Sequence, residues 1–230
     1  MEYRDITPAE FLTRPNRFIA QVRVDGREET VHVKNTGRCR ELLVPGATVY
    51  LEKARNPARR TAYSLVAVQK GDRLINMDSQ APNRVLEEAL RGGLVLPGMR
   101  GAALRIRREV VFGGSRLDFA LEDAAGEVMA EVKGVTLERD GVALFPDAPT
   151  QRGVRHLGEL ERAVERGMRA CAVFIVQMQG MRRFSPNEET HPEFGAALRR
   201  AQKAGVAVCA YNCRVTPGSL VLKDPVEVRL

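Results

Sequence analysis

Short stretches in which apolar and polar residues alternate fill the first third of the chain, and turn-forming residues separate them. Asp25-Gly26, Pro45-Gly46 and Lys70-Gly71-Asp72 mark three of these turns. Short strands with turns every ~8 to 12 residues are typical of a small β-barrel, and the five-stranded OB-type barrel is a common solution of this size. The pattern therefore predicts an OB-like five-stranded β-barrel with strands at residues 18–24, 29–35, 48–54, 61–69 and 73–78.

The hydrophobic period changes after Ala81-Pro82-Asn83, and we place a domain boundary near residue 80. Residues 1–80 would form the OB-like nucleic-acid-binding domain, and residues 81–230 a second domain. In the second domain strands alternate with crossover helices, which indicates a mixed-sheet α/β (α+β) layer. Helices are predicted at residues 84–91, 150–166 and 192–204, and strands at 105–112, 115–122, 127–137, 142–145, 170–178 and 206–212.

A predicted hairpin at residues 115–135 is the most informative segment. With its turn at residues 123–126, the antiparallel ladder places Asp118 directly opposite Glu131. The alternation supports this register, because it collects the apolar residues of both strands on one face. That face contains Leu117, Phe119, Leu121, Val128, Ala130 and Val132.

The opposite face of the hairpin carries Asp118, Glu131 and Lys133. Two carboxylates facing each other repel, and a divalent cation is the simplest way to hold them together. Such a site suits phosphodiester hydrolysis, with the lysine holding the attacking water or neutralising developing charge. The alternative is a solvated polar face in which Lys133 pairs diagonally with Asp118 and no metal binds.

The charge of the chain adds a candidate partner. The 36 Lys and Arg residues exceed the 29 Asp and Glu residues, which leaves a formal charge of +7. Lysines and arginines crowd the loop around Asn35-Thr36-Gly37 and a second loop at residues 53–60. This pattern is compatible with a polyanionic partner or with solvated basic loops. The candidate phosphate contacts in the barrel are Arg14, Arg17 and Arg38.

The predicted helix at residues 150–166 offers a further anion site. Free N–H groups at a helix start favour a phosphate, and Arg152 and His156 could assist there. The alternative is that Asp147 caps the helix and Arg152 lies in solvent. His32, in the middle of a predicted strand, is interpreted as structural.

Several functional classes are excluded by the sequence. The first residues contain no apolar signal-peptide core, and the longest nearly uncharged run, residues 170–181, is shorter than the ~20 residues of a membrane-spanning helix. The four cysteines form no CxxC pair, as expected for reduced thiols. We therefore expect a cytoplasmic protein with no membrane partner. No GxxxxGK, GxSxG or HExxH motif indicates a small-molecule enzyme.

Six blocks of the chain resemble the sugar fermentation stimulation protein A (SfsA) family, over essentially its whole length. They are residues 14–22, 32–46, 115–119, 131–137, 143–160 and 183–194. The resemblance implies an N-terminal OB-like domain, a C-terminal PD-(D/E)XK (restriction-endonuclease-like) domain and sequence-nonspecific DNA binding. Nuclease activity and a regulatory role in sugar (maltose) metabolism are both attributed to this family.

The resemblance also implies roles for the hairpin residues. Asp118 and Glu131 match the metal ligands of PD-(D/E)XK nucleases, for Mg²⁺ or Mn²⁺, and Lys133 matches the catalytic lysine. Leu117 stands where the signature has proline, a departure that leaves the ligand unchanged.

Nucleases of this type often add a glutamate from the first helix and a polar residue from the helix after the E-x-K strand. These positions correspond to Glu88, as a third metal ligand, and to Gln151, as a further catalytic residue. Glu109, in the strand before the hairpin, competes with Glu88 for the additional carboxylate.

Two functions remain open at this point. The leading hypothesis is a metal-dependent nuclease that binds DNA, or RNA, without sequence specificity. The alternative is a non-catalytic DNA-binding regulatory factor linked to sugar metabolism. The sequence leaves open whether the nucleic acid is single- or double-stranded and whether the protein is a monomer or a homodimer.

Overall fold

The computed structural model describes residues 1–35, 37–56 and 58–230, so Thr36 of the first basic loop lies outside the described residues. The chain forms two separate sheets. The first sheet has the order β3-β2-β1-β4-β5-β6, and an additional parallel pairing of β3 with β5 closes five of its strands into a barrel. Its strands are β1 (Ile6–Asn16), β2 (Ile19–Val24), β3 (Arg27–Val33), β4 (Thr48–Lys53), β5 (Tyr63–Lys70) and β6 (Arg73–Asn76).

The closed five-stranded barrel confirms the predicted OB-like domain, but one of its strands was assigned wrongly. The pattern from residue 18 onward omits β1, and it counts β6, which only extends the sheet beyond β5. β1 contains Pro8 and Pro15, and its pairing with β2 has register shifts between Phe11 and Thr13 and again before Asn16. Prolines and bulges disturb the alternation by which strands are recognised, which is why β1 was missed.

The second sheet confirms the predicted mixed α/β domain. Its order is β10-β11-β13-β15-β14-β12-β9-β8-β7, with β9, β12 and β14 parallel and the β7-β8-β9 meander antiparallel. Its elements are α1 (Ala81–Arg91), β7 (Arg105–Phe112), β8 (Ser115–Asp123), β9 (Gly126–Val135), β10 (Leu137–Arg139), β11 (Val142–Phe145), α2 (Gln151–Glu165), β12 (Arg169–Val176), β13 (Arg183–Pro186), α3 (Pro192–Lys203), β14 (Ala207–Thr216) and β15 (Ser219–Val228).

Helices cover both faces of this sheet. Val85, Leu86 and Leu90 of α1 pack in one buried cluster with Phe119 and Val128. The apolar side chains of α2 and α3 pack on the opposite face, in the cluster that contains Ala120 and Met129. β12 lies in the middle and is buried along almost its whole length, as its continuous apolar sequence predicts.

The predicted helices are present with small changes at their ends, whereas two strands were missed. β13 has four residues, and β15 contains Pro225, so neither gives a strong periodic signal. The strand predicted at residues 127–137 is divided in the structure, because β9 ends at Val135 and β10 begins at Leu137. Within the described residues, no helix is long and apolar enough to cross a membrane.

A buried polar network joins the barrel to the second domain. Gln177 follows β12, and its Nε2 donates to Oδ1 of Asn76 (2.9 Å) and to the carbonyl of Asp78 (3.0 Å). Asn76 Nδ2 donates to the hydroxyl of Tyr3 (2.9 Å), which donates to Asp78 Oδ2 (3.3 Å). A Cβ at Gly134 would lie 2.7 Å from Pro82 Cγ, so the end of β9 approaches α1 as closely as glycine permits.

Candidate active site and nucleic-acid surfaces

The β8-β9 hairpin brings Asp118 and Glu131 together. The ladder pairs Glu122 with Glu127 and Phe119 with Ala130, which is the predicted register. Beyond the last pair, the backbone N–H of Asp118 donates to Glu131 Oε2 (3.3 Å), and the N–H of Val132 donates to Asp118 Oδ2 (2.8 Å). The two carboxylates therefore lie side by side where the ladder opens.

One residue of the predicted apolar face lies elsewhere. Leu117 packs in the cluster of Ala120 and Met129, whereas Phe119 packs in the opposite cluster. The alternation breaks at Asp118, because regular pairing with β9 ends at Phe119, and Glu109, across from Asp118 in β7, has a φ of 52°.

Asp118 is held by hydrogen bonds on both carboxylate oxygens. Oδ2 accepts from Val132, and Oδ1 accepts from Asn83 Nδ2 (2.8 Å) at the start of α1. Burial and the neighbouring charge of Glu131 raise the pKa of Asp118 despite these hydrogen bonds. The site therefore holds a carboxylate whose negative charge is incompletely compensated by the protein.

Glu131 is 3% exposed and is compensated more fully. Burial alone would raise its pKa, but hydrogen bonds from His156 and Lys133 lower the pKa of Glu131 overall. Lys133 Nζ lies 2.6 Å from Glu131 Oε1, and His156 Nδ1 contacts the same oxygen. The lysine thus pairs with its neighbour on β9, and the diagonal pair with Asp118 considered above is not the arrangement found.

The sequence indicated a phosphate contact for His156, and the structure places it differently. His156 is 3% exposed, and its Nδ1–H is directed at Glu131. Nε2 accepts from Arg152 Nε (3.3 Å), so this tautomer links the exposed Arg152 to the buried carboxylate. Because its ring is enclosed, His156 belongs with the carboxylate pair and not with a phosphate-binding surface.

The additional carboxylate predicted in α1 is also placed differently. Glu88 Oε2 accepts from the N-terminal amino group of Met1 (2.5 Å) and does not join Asp118. Glu87 is four residues after Asn83 and shares its helix face, where it binds Arg91 (2.7 Å) and Arg108 (3.1 Å). Glu87, and not Glu88, therefore shares the helix face of Asn83, the residue of α1 that contacts Asp118.

Two other predicted residues also lie apart from the carboxylate pair. Glu109 is half exposed, and its closest basic partner is Arg116 at 3.9 Å. Gln151 is exposed at the start of α2 and donates to Glu193 Oε2 (2.8 Å). Thr150 caps α2, since its Oγ1 accepts from the N–H of Gly153 (3.0 Å), so Asp147 is not the cap.

Asn83 is a site residue that the sequence analysis does not identify. In the sequence it is only part of the break that starts the second domain, yet its amide donates to Asp118. Its place in the first turn of a helix three residues from the domain boundary was the one available signal.

The arginines predicted to contact phosphate fall into two groups. Arg14 donates to four backbone carbonyls, those of Arg17, Asn35, Gly37 and Arg38, at 2.6–2.9 Å, and so it organises the basic loop. Arg17 and Arg38 are exposed around a pocket of about 480 Å³, which is also lined by Arg40, a residue that was not among the predicted contacts. We call this the arginine pocket; it is lined by Arg14, Asn16, Arg17, Gly37, Arg38, Arg40, Leu43 and Ala148.

Fold and site together define a class of protein, in which an OB barrel precedes a mixed α/β domain with a carboxylate pair and a lysine on its β8-β9 hairpin. Two family descriptions match the same two regions. "SfsA N-terminal OB domain" covers residues 12–77, and "Sugar fermentation stimulation protein RE domain" covers residues 80–219.

Individual relatives agree with this class. A sugar fermentation stimulation protein homolog of Desulfitobacterium hafniense is 52% identical over 230 residues, which is 100% of this chain and 99% of that protein. The homolog of Clostridium beijerinckii is 47% identical over the full length of both chains. The solved structure of Pyrococcus furiosus SfsA in complex with Ca²⁺ matches with a TM-score of 0.90 at 30% identity, covering 100% of this chain and 98% of that one. The chain belongs to the SfsA family.

Proposed function

We propose that the protein binds nucleic acid without sequence specificity and hydrolyses phosphodiester bonds with a divalent cation held by Asp118 and Glu131. The observation that carries the proposal is the crowding of these two carboxylates on buried strands beside Lys133. Burial and the charge of Glu131 raise the pKa of Asp118, so a cation between the carboxylates would relieve their repulsion.

The donor set fits Mg²⁺ or Mn²⁺. In the parts of the chain that the structure describes, no three His, Cys, Asp or Glu side chains are grouped to hold a metal. Two carboxylates are nevertheless enough for Mg²⁺, which keeps several waters and is commonly bound through one or two carboxylates and the substrate phosphate. The solved relative was described in complex with Ca²⁺, another cation that prefers oxygen ligands, which supports the choice.

The chain's own groups would position the substrate around this site. Lys133 shares one N–H with Glu131, and its ammonium has further N–H groups for a water or a phosphate oxygen. Asn83 fixes Asp118, and His156 fixes Glu131. Polarisation of a phosphoryl oxygen is the chemistry that a bound cation supplies.

The arginine pocket would bind the phosphates of the nucleic-acid backbone. Arg17 and Arg38 are exposed, and phosphate contacts of this kind carry no sequence information. The formal charge of +7 favours association with a polyanion. Binding should therefore weaken steeply with salt and depend little on sequence.

A second function is favoured by one observation. All four carboxylate oxygens of Asp118 and Glu131 already accept hydrogen bonds from the protein. The same arrangement is expected of a carboxylate pair that no longer binds a metal ion. The protein would then be a non-catalytic DNA-binding regulatory factor, and its link to sugar metabolism rests on the names of its relatives.

Cleavage assays separate the two functions. Labelled single- and double-stranded DNA and RNA are incubated with the wild type, Lys133→Ala and the control Lys223→Ala, an exposed lysine on β15. Each protein is tested with Mg²⁺, Mn²⁺ or EDTA, and binding is followed in parallel. The nuclease proposal requires cutting that needs metal, is lost in Lys133→Ala and is kept in Lys223→Ala. Tight binding without cutting under every condition would contradict it and support the regulatory factor.

A further inference from the structure

A second pocket on the barrel has a lining that the nuclease site does not explain. This barrel pocket, of about 330 Å³, is lined by Phe18, His32, Val33, Lys34, Arg59, Ser64, Ser79 and Gln80. It combines an aromatic ring, an imidazole and an arginine in one concave surface. None of these three residues takes part in the carboxylate site.

Phe18 is an exposed aromatic ring on a rigid support. Its side chain is among the few large apolar side chains that reach solvent, with 51% of the residue exposed. Asn16 Oδ1 accepts from the backbone N–H groups of Phe18 (2.9 Å) and Ile19 (3.1 Å), and Val33 donates to the carbonyl of Phe18 (2.8 Å). The β1-β2 turn thus fixes the backbone that carries the ring, which suits a stacking platform.

His32 lines the same pocket and is partly exposed. Its Nδ1 is buried without a partner among the described residues, and a turn of the ring would bring this nitrogen to a bound base. Burial and the positive charges of Arg59 and Lys34 lower the pKa of His32, which favours the neutral imidazole. A neutral imidazole nitrogen can pair with the donor or acceptor edge of a nucleobase.

Arg59 supplies a cation at the rim. Its guanidinium donates to the hydroxyls of Ser64 (3.2 Å) and Thr61 (3.2 Å), and among the described residues it forms no ion pair with a carboxylate. Lys34 differs, because Glu52 (2.8 Å) and Asp78 (3.3 Å) compensate its charge. Arg59 is therefore the group that suits a phosphate.

The barrel pocket adjoins a third pocket that reaches β9, the strand of Glu131 and Lys133. This third pocket of about 270 Å³, lined by Asn35, Ser79, Gly134, Asp147, Thr150 and Gln177 among others, lies between the two domains. It shares Ser79 with the barrel pocket and Gly37 with the arginine pocket. Gly134 directly follows Lys133, so a strand crossing this junction would pass the end of β9.

We infer that the barrel pocket binds one unstacked nucleobase of a single-stranded nucleic acid, with the base against Phe18, its edge at His32 and its phosphate at Arg59. The inference rests on the nucleic-acid binding proposed above and names the substrate class. A base stacked within a duplex cannot enter such a pocket, whereas an unpaired base can stack on an aromatic ring.

The test measures binding of the full chain in EDTA by fluorescence anisotropy. The probes are an oligothymidylate of about 12 nucleotides, an abasic chain of the same length and a duplex of the same length. The variants are Phe18→Ala, Phe18→Trp and the control Leu104→Ala, which truncates an even more exposed apolar side chain outside the barrel.

Phe18→Ala should weaken binding of the oligothymidylate about tenfold, and Phe18→Trp should restore it. The abasic chain and the duplex should bind Phe18→Ala and wild type alike, and Leu104→Ala should match the wild type on every probe. Equal binding of the oligothymidylate by Phe18→Ala and wild type would overturn the inference, as would an equal loss on the abasic chain.

Arg59 is tested in the same way against Arg60→Ala, an exposed arginine of the same loop that does not line the pocket. Arg59→Ala should weaken binding of the oligothymidylate severalfold and reduce its salt dependence, and Arg60→Ala should change it less. Equal effects of the two variants would overturn the assignment of Arg59.

The binding and cleavage assays together distinguish this inference from the proposed function. If binding depends on Phe18 but no metal-dependent cleavage occurs, only the proposed nuclease activity is contradicted. If cleavage occurs but Phe18→Ala has no effect on binding, only the proposed base-binding pocket is contradicted.

Discussion

The carboxylate pair and the arginine pocket differ in how far their charged groups are buried and hydrogen-bonded. Asp118 and Glu131 lie on buried strands, and the protein donates a hydrogen bond to every one of their oxygens. Arg17 and Arg38 extend from exposed turns of the barrel. A buried, fully bonded group is fixed in place and suits chemistry that needs exact geometry, whereas an exposed cation suits contact with a mobile polyanion. Substitutions in the carboxylate pair should therefore reduce cleavage, whereas substitutions in the arginine pocket should reduce binding.

The largest expected effect is the loss of cleavage in Asp118→Asn. The variant keeps the size of the side chain but removes the charge that would bind the cation, so the rate should fall by about 10³-fold or more. Binding in EDTA should stay within about twofold of the wild type, because the barrel is untouched. Gel-based cleavage rates and anisotropy measure the two quantities. Parallel loss of both would show that the two regions are not separable.

A smaller effect is expected at Asn83, which touches Asp118 but no substrate. Asn83→Ala should weaken Mn²⁺ affinity about 10- to 100-fold, because it frees a carboxylate that the amide holds in place. Titration calorimetry in the absence of nucleic acid measures this affinity. Arg84→Ala, the next residue and exposed, is the control and should bind Mn²⁺ as the wild type does. An unchanged affinity in Asn83→Ala would remove Asn83 from the site.

The arginine pocket should give severalfold effects on binding alone. Arg17→Ala or Arg38→Ala should weaken binding to all sequences alike and reduce the slope of log Kd against log salt by about one. Arg23→Ala is the matched control, because Arg23 is an exposed barrel arginine paired with Glu10 at 2.6 Å. If Arg23→Ala had the same effect, the interaction would reflect overall charge and not this pocket.

The smallest effect concerns pH and stability. Because the pKa of Asp118 is raised in the fold, the folded state binds this proton more tightly than the unfolded state, and stability is lost as pH rises from about 3.8 through the raised value. Asp118→Asn lacks this group, so its Tm relative to the wild type should increase by a few degrees across that window. Thermal melts in EDTA between pH 3 and 7 measure the difference. A constant Tm difference would contradict the raised pKa.

The fold could be predicted from the sequence where periodicity is strong. The buried strand β12, the capped helix α2 and the hairpin turn all follow from local patterns. β1 could not be recognised because its prolines and bulges conceal the alternation, and its place in the barrel depends on pairing with β4, far along the chain.

The residues that the structure groups around Asp118 were predicted from the strands, and less well from the helices. Asp118 and Glu131 come together through the register of one hairpin, although the alternation breaks at Asp118. Which face of a helix is directed to them depends on packing, which is why the expected glutamate fell on Glu88 beside the N-terminus and His156 was placed at a surface. Long-range contacts of this kind leave no periodic signal in the sequence.

Single-turnover cleavage at increasing protein concentration tests the central claim most directly. It compares the wild type, Glu131→Gln and the double variant Arg17→Ala/Arg38→Ala on one labelled substrate with Mn²⁺. We expect Glu131→Gln to show no cleavage at any concentration, and the double variant to reach the wild-type rate at a higher half-saturating concentration. Cleavage by Glu131→Gln at the wild-type rate, or a reduced saturating rate in the double variant, would contradict the separation of chemistry from binding.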